Sequence, residues 1–245
     1  MMLDITRIKD IPSLMKEAKW LEGKTLAQIS KAIESNDADS RVTTKGNVGY
    51  VIENGFFGIK KNSEAKPDIE HLGVEIKTSP LKYNKKRDHL SFKEPLSLNI
   101  INYSAEDKCD DITDSSLYKK NKKILFVLYI HDKAKARSEY VVKYVLIWDM
   151  DDSVLKELRP DYFLIKKKIL EGKAHEIHQK EHANLTLCPK HNGDFKDPNC
   201  RISKREQPHS QKMAEVRAFR LKNRYMNRIV SAILRKPLER GGWPI

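Results

Sequence analysis

Residues 65–80, AKPDIEHLGVEIKTSP, carry the pattern on which the reading of the fold turns. Pro67 lacks a backbone donor and interrupts regular structure, and beyond it the apolar pattern takes a period of two. Leu72, Val74 and Ile76 alternate with Glu75 and Lys77, so a half-buried strand places both charged side chains on one face. The short interval from Asp68 lets a turn return its carboxylate beside Glu75. Glu-x-Lys spacing alone is weak evidence, because the chain contains it six times, at 17/19, 22/24, 64/66, 75/77, 106/108 and 171/173. Only the pair at 75 and 77 lies in an alternating apolar strand behind a Pro-Asp step. Two neighbouring carboxylates repel unless a cation lies between them, so Asp68 and Glu75 are candidate ligands for Mg2+, a hard ion that prefers oxygen. Such a metal polarises a phosphate and acidifies bound water, and Lys77 on the same face offsets charge building on the phosphate. A plain salt bridge at a strand edge, Glu75 to Lys77, accounts for the same residues equally well.

Upstream, residues 12–34 read as two short helices, the second capped by Thr25 with Leu26, Ile29 and Ile33 on one face. After a polar loop over 36–47, GNVGYVIENGFFG reads as a glycine-bounded helix turning Val48, Val51, Ile52 and Phe56 inward, with Glu53 one residue off that face. Downstream, residues 95–103, 123–131 and 139–150 are strand candidates, and the aromatic residues of LFVLYI and YVLIWDM belong to a core. Residues 153–174 read as helix, broken near Pro160 and stopped by Gly172. Beyond 183 the chain looks loop-rich until AFRLKNRYMNRIVSAIL, whose second half has helical spacing. There is no internal repeat and no low-complexity linker, so a mixed α/β sheet with helices against it, in one domain over 1–245, is expected.

The 245 residues hold 47 Lys and Arg against 34 Asp and Glu, a net charge of +13. A surplus that large favours a polyanionic partner, since each cation set on a phosphate releases condensed counterions. No apolar run is long enough to span a membrane, and the amphipathic start MMLDITRIKDIPSLMKEAK lacks a signal-peptide core. An odd, scattered set of cysteines, Cys109, Cys188 and Cys200, fits a reducing cytoplasm better than a disulfide framework. Cys188, His191, Cys200 and His209 invite a zinc site: Cys188 and His191 make half a plausible ligand pair, but Cys200 and His209 lack the matching tight spacing. His175, His178 and His182 likewise miss the H-E-x-x-H pattern, so surface or packing roles suit them better.

AKPDIEHLGVEIKTSPL resembles the stretch SKPD…ALGVELKT of the MutH family of mismatch-repair endonucleases. Upstream, LEGKTLAQI is similar to that family's G-x-T-L-x-E-L helix, and KGNVGYVIENGFFG to its KGW-x-G-x-x-x-E helix, which adds Glu53 as a further acidic site position. KKNKKILFVLYI resembles a basic segment running into a strand, with Lys120 at the auxiliary active-site lysine. RAFRLKNRYM resembles RGFYLKKNF. Residues 64–68, LSLNIINY, EGKAHE and RAFRLKNRYM look closer still to the Sau-three-A group of GATC-cutting restriction enzymes. The matches scatter over about 20–235.

The resemblance implies a restriction-endonuclease-like (PD-(D/E)xK) fold, a mixed central sheet flanked by helices. It also implies a DNA cleft between lobes at about 1–135, catalytic, and 136–245, DNA-reading. LTLCPKHNG (185–193) resembles the base-reading loop, whose core is Arg-Pro-Lys. Pro189 and Lys190 match, whereas Cys188 stands in for the arginine that bonds a guanine edge. Lys45, Arg217 and Lys222 fall on basic, DNA-contacting positions. The activity implied is that of a Mg2+-dependent type II restriction endonuclease on double-stranded DNA, at GATC. A MutH-like nickase, or a non-catalytic basic nucleic-acid-binding module, are the alternatives. One such constellation cuts one strand. The restriction enzymes it resembles are longer, with a second related domain, whereas this chain ends at GGWPI, so a monomer that pairs on DNA is expected.

Overall fold

The computed structural model describes residues 3–33, 47–59, 66–192, 201–239 and 242–245, the side chains of 47, 191, 192 and 201 aside. In chain order the helices are α1 (Ile11–Ala18), α2 (Leu26–Ala32), α3 (Asn47–Tyr50, continued by a π-helical turn over Val51–Phe56), α4 (Tyr103–Glu106), α5 (Ser116–Asn121), α6 (Asp152–Leu170) and α7 (Asn223–Ile233). The strands are β1 (Val74–Tyr83), β2 (His89–Phe92), β3 (Leu96–Ile100), β4 (Lys123–Ile130), β5 (Val142–Asp149) and β6 (Leu185–Pro189), followed by β7 (His191–Asn192), β8 (Arg201–Ile202), β9 (Lys204–Gln207), β10 (Ser210–Glu215), β11 (Arg217–Leu221) and β12 (Trp243–Pro244). Two compact units share these elements. The first comprises Met1–Glu94, Lys123–Asp149 and Asn227–Ile245, the second Pro95–Lys122 and Met150–Met226. The units interleave along the chain, unlike a single division near residue 135.

In the first unit a five-stranded mixed sheet runs in the order β12-β2-β1-β4-β5. β1 and β4 are parallel, with Glu75 opposite Ile124 and Lys77 opposite Phe126, and the other pairings are antiparallel. Parallel neighbours need a long crossover, and the excursion between β1 and β4 supplies it. Val74, Ile76, Leu125, Val127 and Val145 of this sheet join Leu14, Leu26, Ile29, Val51, Ile52 and Phe56 in one buried cluster. α2 starts at a complete capping box between Thr25 and Gln28. The two short helices expected upstream, α1 and α2, and the inward set Val48, Val51, Ile52 and Phe56 are as the periodicity predicts among the described residues. β2 and β12 are too short to show a period of two.

In the second unit, β3, β11 and β6 form an antiparallel sheet, and β9 pairs with β10. Much of the stretch beyond 183 is therefore strand rather than loop, because its ladders are backbone bonds that a polar sequence does not advertise. α6 runs unbroken through Pro160, against expectation. An interior proline costs about 3 kcal/mol. The face carrying Leu155, Leu158, Tyr162, Ile165 and Ile169 is buried, and each such side chain contributes about 1.5–3 kcal/mol. Burial therefore exceeds the cost of the missing bond, and the helix ends just ahead of Gly172. Among the described residues no helix is long and apolar enough to cross a membrane.

Candidate active site

The turn between Asp68 and Glu75 is short and closely bonded. Ile69 bridges Val74 across it, a single 3-10 turn covers Glu70–Leu72, and Gly73 closes it at φ 65, where glycine carries no Cβ penalty. The Asp68 N–H donates to Glu75 Oε2 at 3.1 Å, and the Ile76 N–H donates to Asp68 Oδ2 at 2.9 Å. Lys77 Nζ donates to Glu75 Oε1 at 2.6 Å. The Glu75 side chain is 2% exposed and that of Lys77 20%. The salt bridge and the three-residue group thus coexist, the ion pair being one edge of the cluster.

Glu53 reaches the same place from α3. Its π-helical turn is widened, with the Phe57 N–H donating to Ile52 O at 3.1 Å, a geometry that recurs at functional sites. A Cβ at Gly49 would come within 3.3 Å of Glu53 Oε1, so the glycine leaves the carboxyl room. Thr78 Oγ1 donates to Glu53 Oε1 at 3.4 Å, a long bond. Burial pushes the Glu53 carboxyl up to about 7; Lys77 opposes the rise, and the negative charges of Asp68 and Glu75 add to it. Thr78 was missed because strict alternation assigns it to the face opposite Lys77.

Among the described residues three carboxyl groups stand here with the Lys77 ammonium, an all-oxygen donor set in partly dehydrated surroundings. A hard divalent cation would relieve the repulsion, and Mg2+ usually takes one or two carboxylates while keeping water. Asp68 and Glu75 could therefore hold it. Among the described residues no three or more His, Cys, Asp or Glu side chains are arranged as a metal site. Cys200 lies outside the described residues, and of His191 only the backbone is described. Cys188 Sγ points to Pro189 O, and His209 Nε2 meets Asp107 Oδ1 at 2.8 Å.

The remaining predicted positions lie in the second unit, except Lys45, which is outside the described residues. Lys120 is buried in the last turn of α5. The segment read as a base-reading loop begins as a strand: β6 pairs with β11, Cys188 opposite Ala218 and Pro189 opposite Arg217. Pro189 ends an edge strand, where a missing donor is tolerated. The Lys190 N–H then donates to Val216 O at 2.8 Å. Arg217 is only 5% exposed, and its guanidinium donates to Glu215 Oε2 at 2.9 and 3.2 Å and to Ile177 O. It ties two segments of the unit together rather than facing solvent as a phosphate contact would. Lys222 Nζ donates to His182 O. Asp161, 4% exposed, was not foreseen. Its carboxylate accepts from the Ala183, Asn184 and Leu185 N–H groups at 2.7, 2.6 and 2.8 Å, and so fixes the start of the strand that carries Pro189.

Residues 57–161 match the family described as DNA mismatch repair enzyme MutH. The type II restriction enzyme Sau3AI of Staphylococcus aureus is 35% identical over 206 residues, 83% of this chain and 39% of that enzyme. The DNA mismatch repair protein MutH of Actinobacillus pleuropneumoniae serotype 5b is 26% identical over 179 residues, 72% of this chain and 75% of that protein. MutH of Vibrio cholerae serotype O1 is 25% identical over a similar span, 72% of this chain and 77% of that protein. The chain thus spans about two fifths of the length of the restriction enzyme it matches.

Proposed function

We propose, since this chain belongs to the MutH/Sau3AI family and has its restriction-endonuclease-like fold, that it is a site-specific endonuclease hydrolysing phosphodiester bonds in double-stranded DNA with Mg2+. The observation that carries the reading is the joining of Asp68, Glu75, Lys77 and Glu53 by one turn, one strand and one helix of the first unit. Asp68 and Glu75 would hold Mg2+, which when bound supplies positive charge to the scissile phosphate and acidity to water. Lys77 can donate a hydrogen bond from Nζ to the attacking water and offset negative charge on the phosphate. Glu53, near neutrality, can take up a proton at its carboxyl, and Lys120 is the auxiliary cation of the reaction. Lys190 with Pro189 reads base edges, and Lys45 and Lys222 meet phosphates. The site read is GATC, and the enzyme acts in the cytoplasm as a monomer that pairs on DNA.

The second reading, a strand-nicking repair endonuclease, is favoured by the family match over 57–161 and the similarity to the MutH proteins. Supercoiled plasmid carrying GATC, incubated with Mg2+, tests both. Linear fragments support the restriction reading, and nicked circles that persist support the repair reading. Intact plasmid with a mobility shift would leave a binding module, and full cleavage in EDTA would remove the metal from the reaction.

A further inference from the structure

The first unit holds a second concentration of charge that the proposed reaction does not use. At the far end of β1, a surface hollow of about 370 Å³ is lined by Lys82, Lys85, Lys93 and Lys133, together with Tyr83, His131 and the Arg87–Asp132 pair. We propose that this hollow is an anion site that takes phosphate groups. Its occupant is either DNA backbone flanking the cut or a free polyphosphate.

Asp132 is a carboxylate of the lining, and Arg87 Nη2 already pairs with its Oδ2 at 3.1 Å. Lys82, Lys85, Lys93 and Lys133 form no ion pair among the described residues. Four lysine ammonium groups line the hollow and would draw an anion into it. Compact ammonium charges set around a space suit a polyanion with several oxygens better than a single planar carboxylate. Burial holds His131 below the usual imidazole range; the neighbouring Lys93 and Lys133 add to this, while a backbone hydrogen bond and Glu94 oppose it.

The hollow also has a built wall. The hairpin after β1 is closed by the Asn84 N–H on His89 O at 3.0 Å and the Arg87 N–H on Asn84 O at 3.1 Å. Arg87 adopts φ 60, a left-handed conformation unfavourable for a residue with a side chain. There its guanidinium lies 4.6 Å from the Tyr83 ring centroid. Distance then separates this place from the reaction. Tyr83 lies six residues beyond Lys77 on one strand, about 20 Å at the rise of a strand. A phosphate in the hollow is thus not the scissile one.

The test compares wild type with Lys82→Ala/Lys93→Ala/Lys133→Ala, using a GATC-bearing 30-bp duplex without Mg2+, and tripolyphosphate followed through the His131 imidazole by NMR. If DNA is the source, the triple variant loses at least about tenfold in duplex affinity, and its log K against log salt slope is shallower by about 2–3, as for three lost phosphate contacts. If free polyphosphate is the source, duplex affinity holds, while tripolyphosphate raises the His131 pKa in wild type and not in the variant. Identical behaviour of the two proteins with both probes overturns the site. Lys82→Gln/Lys133→Gln, confined to exposed positions, repeats the test should the triple variant misfold. Neither readout involves cleavage, so an inactive nuclease and an empty hollow give distinguishable results.

Discussion

Glu53→Gln measures what it costs the fold to bury an ionised carboxylate at the candidate active site. The folded carboxyl sits at about 7 against an ordinary 4.5. Below pH 4.5 the group is neutral in both folded and unfolded chains and costs nothing. Between pH 4.5 and 7 the unfolded chain ionises while the folded one stays protonated, so stability falls as pH rises. Above 7 both are ionised and the loss is complete. At 1.36 kcal/mol per unit, the interval corresponds to about 3 kcal/mol, reduced to about 2 kcal/mol because solvent reaches part of the side chain. Glutamine cannot ionise. The variant should therefore match wild type near pH 4.5 and exceed it by about 2 kcal/mol at pH 8.

The assay is urea unfolding in EDTA followed by tryptophan fluorescence. Trp20, Trp148 and Trp243 are the chain's three tryptophans, and all belong to the first unit. Adding Mg2+ should narrow the gap at pH 8, because the cation neutralises what Glu53 adds. A difference that stays constant from pH 5 to 8, or a wild type the more stable at pH 8, would refute the reasoning.

Asp68→Ala, Glu75→Ala and Lys77→Ala should each lower cleavage by about 10²–10³ or more while duplex binding persists, and a Glu75→Ala protein that still cuts at wild-type rate would remove the assignment. Ca2+ should support specific binding without turnover, read by mobility shift and gel, since its longer, looser coordination activates water less well. Lys190→Ala should reduce discrimination between GATC and altered sites in competition binding, whereas Lys45→Ala should weaken cognate and random DNA alike and flatten the salt dependence. Arg217→Ala should lower the unfolding free energy by about 3 kcal/mol, because it leaves Glu215 and a carbonyl without their partner; a variant with unchanged stability and weaker DNA binding would return Arg217 to the duplex.

How much of this was legible depends on where each residue's partners lie. Asp68, Glu75 and Lys77 fall within ten residues, so local alternation and one turn suffice to bring them together. Glu53 lies 22 residues upstream of Glu75, and only the resemblance connects it to the group. Pro160 misleads because the cost of an interior proline is local, whereas the burial that outweighs it involves side chains along the whole of α6. β9 and β10 carry Lys204, Gln211, Lys212 and Met213 exposed, so no hydrophobic period marks a hairpin held by backbone bonds.

Arg217 shows the limit most sharply. Glu215 and Arg217 are two residues apart and ion-paired at 2.9 Å, as Glu75 and Lys77 are at 2.6 Å. From spacing alone the two pairs are the same object. Their surroundings separate them. The Arg217 guanidinium meets one carboxylate and spends its remaining reach on the Ile177 carbonyl, so charge is matched and the arrangement holds structure. Lys77 Nζ donates to Glu75, and Asp68 and Glu53 bring two further carboxyls to the same place; burial lifts Glu53 to about 7, with Lys77 opposing the rise and Asp68 and Glu75 adding to it. A matched pair has no use for a cation from solution, whereas a pair with further carboxyls beside it can take one. The Glu-x-Lys motif acquires its chemistry from the carboxylates that the fold adds to it.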